Sequence, residues 1–416
     1  MKDVNFWFLL VGGLLIFMVL AENFFKTKAI STAIVYLAIG YGLGPSGASV
    51  FNFHPVLDSK MIEVVAEIVI LASLFSAGLK MSIPFRHSHW RLSVKLATVT
   101  MALTVLLISV YAHYLMAMPW AFGILLGGIL APTDPVLASA VQIQGEDDQD
   151  RLRTGLTGEA GLNDGTAFPV VMLGLTLLSL NPQSTFISSA LGSWLGVDLL
   201  WATVVGLGLG YGIGWLGTKV IIMVHPNNKD ELVIEDFVSI GLVALSYALA
   251  IYAKAYGFLA VFACGLAFSR VERAHFDARD KKDDNAFAPA LIKFTTQLER
   301  IGEVATVVLL GALISYAQFK FWIIGFALVF IFLLRPLAVH LTTAGNRMNF
   351  KQRTLMSWFG IRGIGSIYYL MYTLNHGVKG EEAQMLVSVV LVTIVISIFV
   401  HGISANPFMK FYNQKK

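Results

Sequence analysis

Apolar residues run through this chain in long blocks with brief polar interruptions. They fall into thirteen candidate helices, at roughly 5–22, 28–43, 61–79, 92–116, 119–143, 153–180, 193–220, 232–252, 256–269, 290–315, 321–344, 353–375 and 383–403. Runs such as FWIIGFALVFIFLL, beginning at Phe321, lack the strict alternation of a membrane β-strand. Backbone groups in lipid must be bonded within their own segment or a closed barrel, so the pattern predicts an all-α polytopic membrane protein of about 13 transmembrane helices. The first block is long for the apolar part of a signal peptide and carries Asp3 beside Lys2, so it is read as a helix.

Composition agrees with lipid as the solvent: 56% of the 416 residues are hydrophobic and 13% are charged, against about 25% charged in soluble domains. The net charge of +4 reflects basic loops and gives no reason to expect nucleic acid or a soluble partner. The single cysteine, Cys264, excludes an intramolecular disulfide. Twenty-one Lys and Arg residues lie on the side where odd-numbered helices end, and five lie on the other. The positive-inside rule then predicts an outer N-terminus and a cytoplasmic C-terminus, in a plasma (inner) membrane.

Two of the thirteen candidates are broken in mid-span, the fifth by APTDP at 131–135 and the twelfth by GIRGIG at 360–365. The third and tenth share a small-residue ending, FSAGLKM at 75–81 and LLGALIS at 309–315. Both pairs are seven helices apart, an odd offset that reverses the direction of entry. The prediction is two inverted six-helix repeats, 1–190 and 231–416, joined by a linker helix within 191–230. Crossed discontinuous helices at matching places in two inverted halves point to a transport site.

Charges inside spans need a partner or a role, since each costs ~2.5–3.5 kcal/mol at mid-membrane. At ~1.5 Å per residue, Asp164 lies ~16 Å and Arg362 ~15 Å from the cytoplasmic end, and Thr133 and Asp134 ~21 Å from the outer end. All fall near the middle of a ~30 Å core. Pro132 and Pro135 lack N–H groups, so the chain between them unwinds, and Asp134 is placed to neutralise facing half-helix N-termini. Glu159 and Asn163 share a helix face, whereas Asp164 is turned about 100° onward. Glu159 is expected to pair with Arg362. That leaves Asp164 with no permanent cation, able to hold either a proton or a metal cation. Arg335, before Pro336, is expected to bond carbonyls freed by that proline. Glu63 and Glu67 are read either as an acidic outer entrance or as solvated helix-start acids. His113, His340 and His401 sit near span ends, where interfacial packing is the default. No phosphate loop, His cluster or nucleophile triad is present in the sequence, so neither an enzyme nor a resident cofactor is expected.

The string APTDPV, followed by GE-x-x-LNDG at 158–165 and an Arg-Gly pair at 362–363, resembles the NhaP/NHE branch of monovalent cation/proton antiporters. Glu303 with Gly311, and Arg335 in LLRPLAV, are similar to that family as well. The resemblance covers essentially the whole chain. It implies a core domain and a dimerisation domain in a homodimer, with Thr133 and Asp164 as ligands of the transported Na⁺, Li⁺ or K⁺. It further implies that Asn163 is the carboxylate's polar partner, that Glu159 pairs with Arg362, and that one cation exchanges for one proton without net charge. Ala160 stands where the family commonly has Ser. Na⁺ is the first reading for the cation; the missing hydroxyl loosens the shell and makes K⁺ the second, and a cation channel is a more distant alternative. The chain ends at Lys416, short of the cytoplasmic tail many members carry, and is either a minimal form or part of a longer protein.

Overall fold

The computed structural model describes residues 4–25, 31–81, 88–138, 141–143, 148, 150–180, 187–224, 234–277, 287–345 and 348–414. Its regular elements are all helical. In chain order they are α1 (Val4–Phe25), α2 (Thr32–Leu43), α3 (Ser59–Lys80), α4 (Ser88–Lys95), α5 (Met101–Leu115), α6 (Trp120–Leu130), α7 (Arg151–Ser179), α8 (Ile187–Ser193) and α9 (Ala202–Val224). They continue with α10 (Ile234–Tyr252), α11 (Gly257–Asp277), α12 (Ala288–Leu313), α13 (Phe321–Val329), α14 (Arg335–Thr343), α15 (Phe350–Trp358), α16 (Ile364–Asn375) and α17 (Gly380–Asn413). Single π-helical stretches join α4 to α5, α8 to α9 and α13 to α14, so each pair runs on as one rod. Among the described residues, seven such rods and helices are long and apolar enough to cross a membrane.

The helices follow the apolar blocks closely, with three differences that have physical causes. The block at 119–143 is helical only to Leu130, because the N–H groups missing at Pro132 and Pro135 stop the ladder. The block at 353–375 divides into α15 and α16 around a non-helical stretch at 359–363. The last block continues to Asn413 as a 34-residue helix, ~51 Å long and so beyond a ~30 Å core. Its far end is tied to the start of α7, where the Tyr412 hydroxyl donates to Asp150 at 2.9 Å.

With lipid outside, helices associate by close van der Waals packing, which favours small residues at contacts. The buried positions of α9 are Ala202, Gly206, Gly210, Gly214 and Thr218, a strict i,i+4 stripe. A Cβ added at Gly206 would come within 2.8 Å of the Tyr256 carbonyl oxygen, and at Gly210 or Gly214 it would overlap the carbonyls of Ala260 or Cys264. The backbones of α9 and α11 therefore touch along three turns. Gly78 of α3 and Gly265 of α11 make the same kind of contact on the other side of α11. By contrast, a Cβ at Gly208 or Gly212 meets open space.

Gly210→Leu is therefore expected to separate α9 from α11 and destabilise the protein by at least ~1–3 kcal/mol. Gly208→Leu and Gly212→Leu, on the other face, should melt within a degree or two of the unaltered protein, as surface changes do, roughly. Thermal unfolding in detergent checks both; equal melting of all three variants would contradict the stripe.

Candidate functional site

The two broken spans cross, and each supplies what the other's unwound backbone lacks. After α6, the Asp134 N–H donates across the crossing to the Ile361 carbonyl at 2.8 Å. The Asp134 carboxylate then accepts at both ends. Oδ1 takes the N–H of Val136 at 2.8 Å and of Leu137 at 3.1 Å, while Oδ2 takes the N–H of Ile364, the first residue of α16. One carboxylate thus caps its own turn and the N-terminus of the half-helix opposite, where partial positive charge accumulates. Gly363 leaves space for it, since a Cβ there would overlap Asp134 Oδ2.

The remaining groups of the crossing are matched in the same way. The N–H of Val136 is engaged by Asp134, so the Pro132 carbonyl has no helical donor; Arg362 Nη1 donates to it at 2.9 Å. The Arg362 N–H donates to Ser397 Oγ of α17 at 2.9 Å. Ser397 in turn meets His401 Nδ1 at 3.1 Å, and His401 Nε2 lies 2.8 Å from the Trp358 carbonyl at the end of α15. His401 is buried and supports the break, whereas the default for a histidine near a span end was interfacial packing. His113 keeps to that default, stacked on Trp120 at 4.4 Å.

The two arginines have exchanged the parts expected of them. Glu159 of α7 is ion-paired with Arg335 of α14, and the pair is buried on both sides. The expected Glu159–Arg362 pair is thereby corrected. Arg362 comes from the unwound stretch, where an opposing orphan carbonyl is the nearest acceptor, and its guanidinium lies 5.0 Å from the centre of the Phe330 ring. Arg335 lies within the continuous rod of α13 and α14, and its side chain reaches across to Glu159 of α7.

Asn163 and Asp164 follow one helical turn beyond Glu159. Asn163 Nδ2 donates to Thr133 Oγ1 at 2.7 Å, tying α7 to the first break. The hydroxyl of Tyr369, on α16, donates to the Asp164 backbone carbonyl. The Asp164 carboxylate lies against the first turn of α16, where a Cβ at Gly365 would come within 2.7 Å of Oδ1. It is 1% exposed, and neither of its oxygens has a hydrogen-bond donor among the described residues. Asn163 Oδ1 is likewise without a donor among them. The structure therefore brings Thr133, Asp134, Asn163 and Asp164 to one buried place, with Glu159 held beside it by Arg335. Ala160, buried as well, lies one turn before Asp164 on α7.

On the side opposite the Lys/Arg-rich ends, Glu63 is buried and accepts from Lys60 Nζ at 3.0 Å and from the Asn375 amide, while Glu67 accepts from the Tyr247 hydroxyl. These acids tie α3 to α16 and α10; they are neither fully solvated nor an open funnel.

The pairing has a measurable signature. Glu159→Ala or Arg335→Ala alone leaves a buried charge uncompensated and is expected to cost ~3–5 kcal/mol, with the double variant well short of the sum. The coupling of Glu159 to Arg362, measured the same way by unfolding, should be smaller; the reverse order would contradict the geometry.

Residues 13–411 match the family model described as sodium/hydrogen exchanger, transmembrane. Among curated proteins, the K(+)/H(+) antiporter NhaP of Alkalimonas amylolytica is 25% identical over 98% of this chain and 67% of its own length. The K(+)/H(+) antiporter NhaP2 of Shewanella oneidensis is 26% identical over 97% of this chain and 66% of its own. The chain thus spans about two thirds of the length of these relatives. The sodium proton antiporter MjNhaP1 of Methanocaldococcus jannaschii has the same fold, with a TM-score of 0.72 at 19% identity over 96% of both chains. A match over nearly the whole chain settles the assignment: the chain is an integral membrane protein and belongs to the sodium/hydrogen exchanger family of cation/proton antiporters.

Proposed function

We propose that the chain exchanges a monovalent cation for H⁺, one for one, with Asp164 holding the cation and the proton in turn. The observation that carries this is a buried carboxylate with no hydrogen-bond donor among the described residues, set against the first turn of a half-helix at the crossing of two broken spans. A carboxylate so placed is stabilised by gaining a positive charge or a proton, and either one excludes the other. Thr133 and the free Asn163 Oδ1 supply neighbouring oxygens, and Asp134 and the Glu159–Arg335 pair hold the backbone around them. Alternating access to the two sides of the membrane then couples the two gradients.

Na⁺ is the first reading of the cation. K⁺ at the same site is the second, favoured by Ala160, which offers no hydroxyl to draw a small ion's shell inward, and by the K(+)/H(+) exchange for which the NhaP relatives are named. The remaining architecture is proposed with the function: inverted repeats at 1–190 and 231–416 about a linker in 191–230, and core and dimerisation domains in a homodimer. The N-terminus is placed outside and the C-terminus in the cytoplasm of a plasma membrane. The Lys and Arg bias and the paired breaks support that arrangement.

Asp164→Asn removes the titratable group at nearly constant volume and is expected to abolish cation-driven ΔpH dissipation in proteoliposomes while the protein still folds. Full exchange by Asp164→Asn would remove Asp164 from its role. Ala160→Ser adds one hard oxygen and should improve apparent affinity for Na⁺ and Li⁺ over K⁺ roughly five- to tenfold, about the effect of one net hydrogen-bond-scale contact. Titration of the ΔpH signal with each ion checks it; unchanged half-saturation for all three would place residue 160 away from the ion.

A further inference from the structure

A crevice of about 980 Å³ opens between α4, α7, α9 and α11, apart from the crossing of the two breaks. Its size is at the upper end of the ~300–1,000 Å³ typical of small-molecule sites. The walls are apolar, among them Val94, Val99, Leu162, Leu207, Phe262 and Leu266, and Val94 and Val99 are exposed at its edge. The charged residues in its lining are Arg91 and Lys95, and no Asp or Glu lines it among the described residues. Neither basic side chain forms an ion pair among the described residues. Arg270 adds a third positive charge nearby, lying over the Trp90 ring at 5.2 Å and hydrogen-bonded to Tyr211, both of which line the crevice.

This combination suits neither water nor a cation. An entrance that gathers cations is lined with acids, and unpaired Arg and Lys repel them. An apolar groove with a cationic rim, on the Lys/Arg-rich side of the chain, complements an acyl chain that ends in an anionic headgroup. We propose that this crevice binds one anionic phospholipid, its phosphate held by Arg91 and Lys95 and an acyl chain laid along Leu207, Phe262 and Leu266. The inner end of that chain reaches Leu162, the residue before Asn163. Phe262 also fills the space above Gly161, where an added Cβ would overlap its ring. The lipid thus sits between the helix that carries Asp164 and the stripe that joins α9 to α11.

Native mass spectrometry of the full chain in neutral detergent tests this directly, after incubation with equal amounts of palmitoyl-oleoyl phosphatidylglycerol and phosphatidylcholine. Retention of one phosphatidylglycerol in preference to phosphatidylcholine is expected. Arg91→Gln with Lys95→Gln should lower that retention roughly tenfold. Gly208→Leu, which grows into open space in the crevice and should leave melting unchanged, is expected to lower it by blocking the chain. Equal retention of the two lipids would overturn the proposal on the unaltered protein alone. So would undiminished phosphatidylglycerol in both folded variants, or equal stabilisation of the protein by inorganic phosphate.

Discussion

Everything at the centre of this molecule depends on one carboxylate that closes two broken helices at once. Asp134 accepts N–H groups from its own turn and from the first residue of α16, while its own N–H is taken by the Ile361 carbonyl. In lipid an unwound stretch is tolerated only where its polar backbone is bonded within the protein. Two such stretches that cross can satisfy one another, and neither could do so alone. The prolines at 132 and 135 and the glycines at 363 and 365 are best understood from that requirement: the prolines stop a helix, and the glycines let the Asp134 and Asp164 carboxylates approach the backbone opposite.

The crossing also decides which carboxylate is left free. Four charged side chains besides Asp134 lie in or beside it, and three have definite partners. Arg362 bonds the Pro132 carbonyl, and Glu159 and Arg335 hold each other. Breaking such a buried pair costs more than the pair contributes over apolar replacements, so it serves to fix geometry. Asp164 remains, tied through its backbone by Tyr369 and through its neighbour Asn163 to Thr133, with its own carboxylate oxygens lacking a hydrogen-bond donor among the described residues. Rigid surroundings and one unsatisfied group are what a site that trades one cation for a proton requires.

Much of this was legible in the residues. Blocks of about twenty apolar positions locate the helices, and the prolines of APTDP and the glycines of GIRGIG mark the breaks. Depth counting alone brings Thr133, Asp134, Asp164 and Arg362 to one level. Depth cannot say which arginine meets which acid. Arg335 and Arg362 both come within reach of α7, and the choice follows from how the unwound stretch at 359–363 aims the Arg362 side chain, a tertiary property. The same limit hid His401: Ser397 and His401 share a helix face in the sequence, but their value lies in the Trp358 carbonyl and the Arg362 N–H that another segment brings to them. The basic crevice was hidden for a like reason, since Arg91 and Lys95 are ordinary span-end cations until α9 and α11 set apolar walls beside them.

The most direct measurement is proton release on cation binding to the purified, weakly buffered protein, followed with a pH indicator as Na⁺ or K⁺ is added. If a cation and a proton compete for Asp164, binding displaces about one proton per cation near the pH where the carboxyl is protonated, and none once it has ionised. Saturable cation binding with no proton released at any pH would contradict the account, because the ion would then be held by groups that never carry the proton.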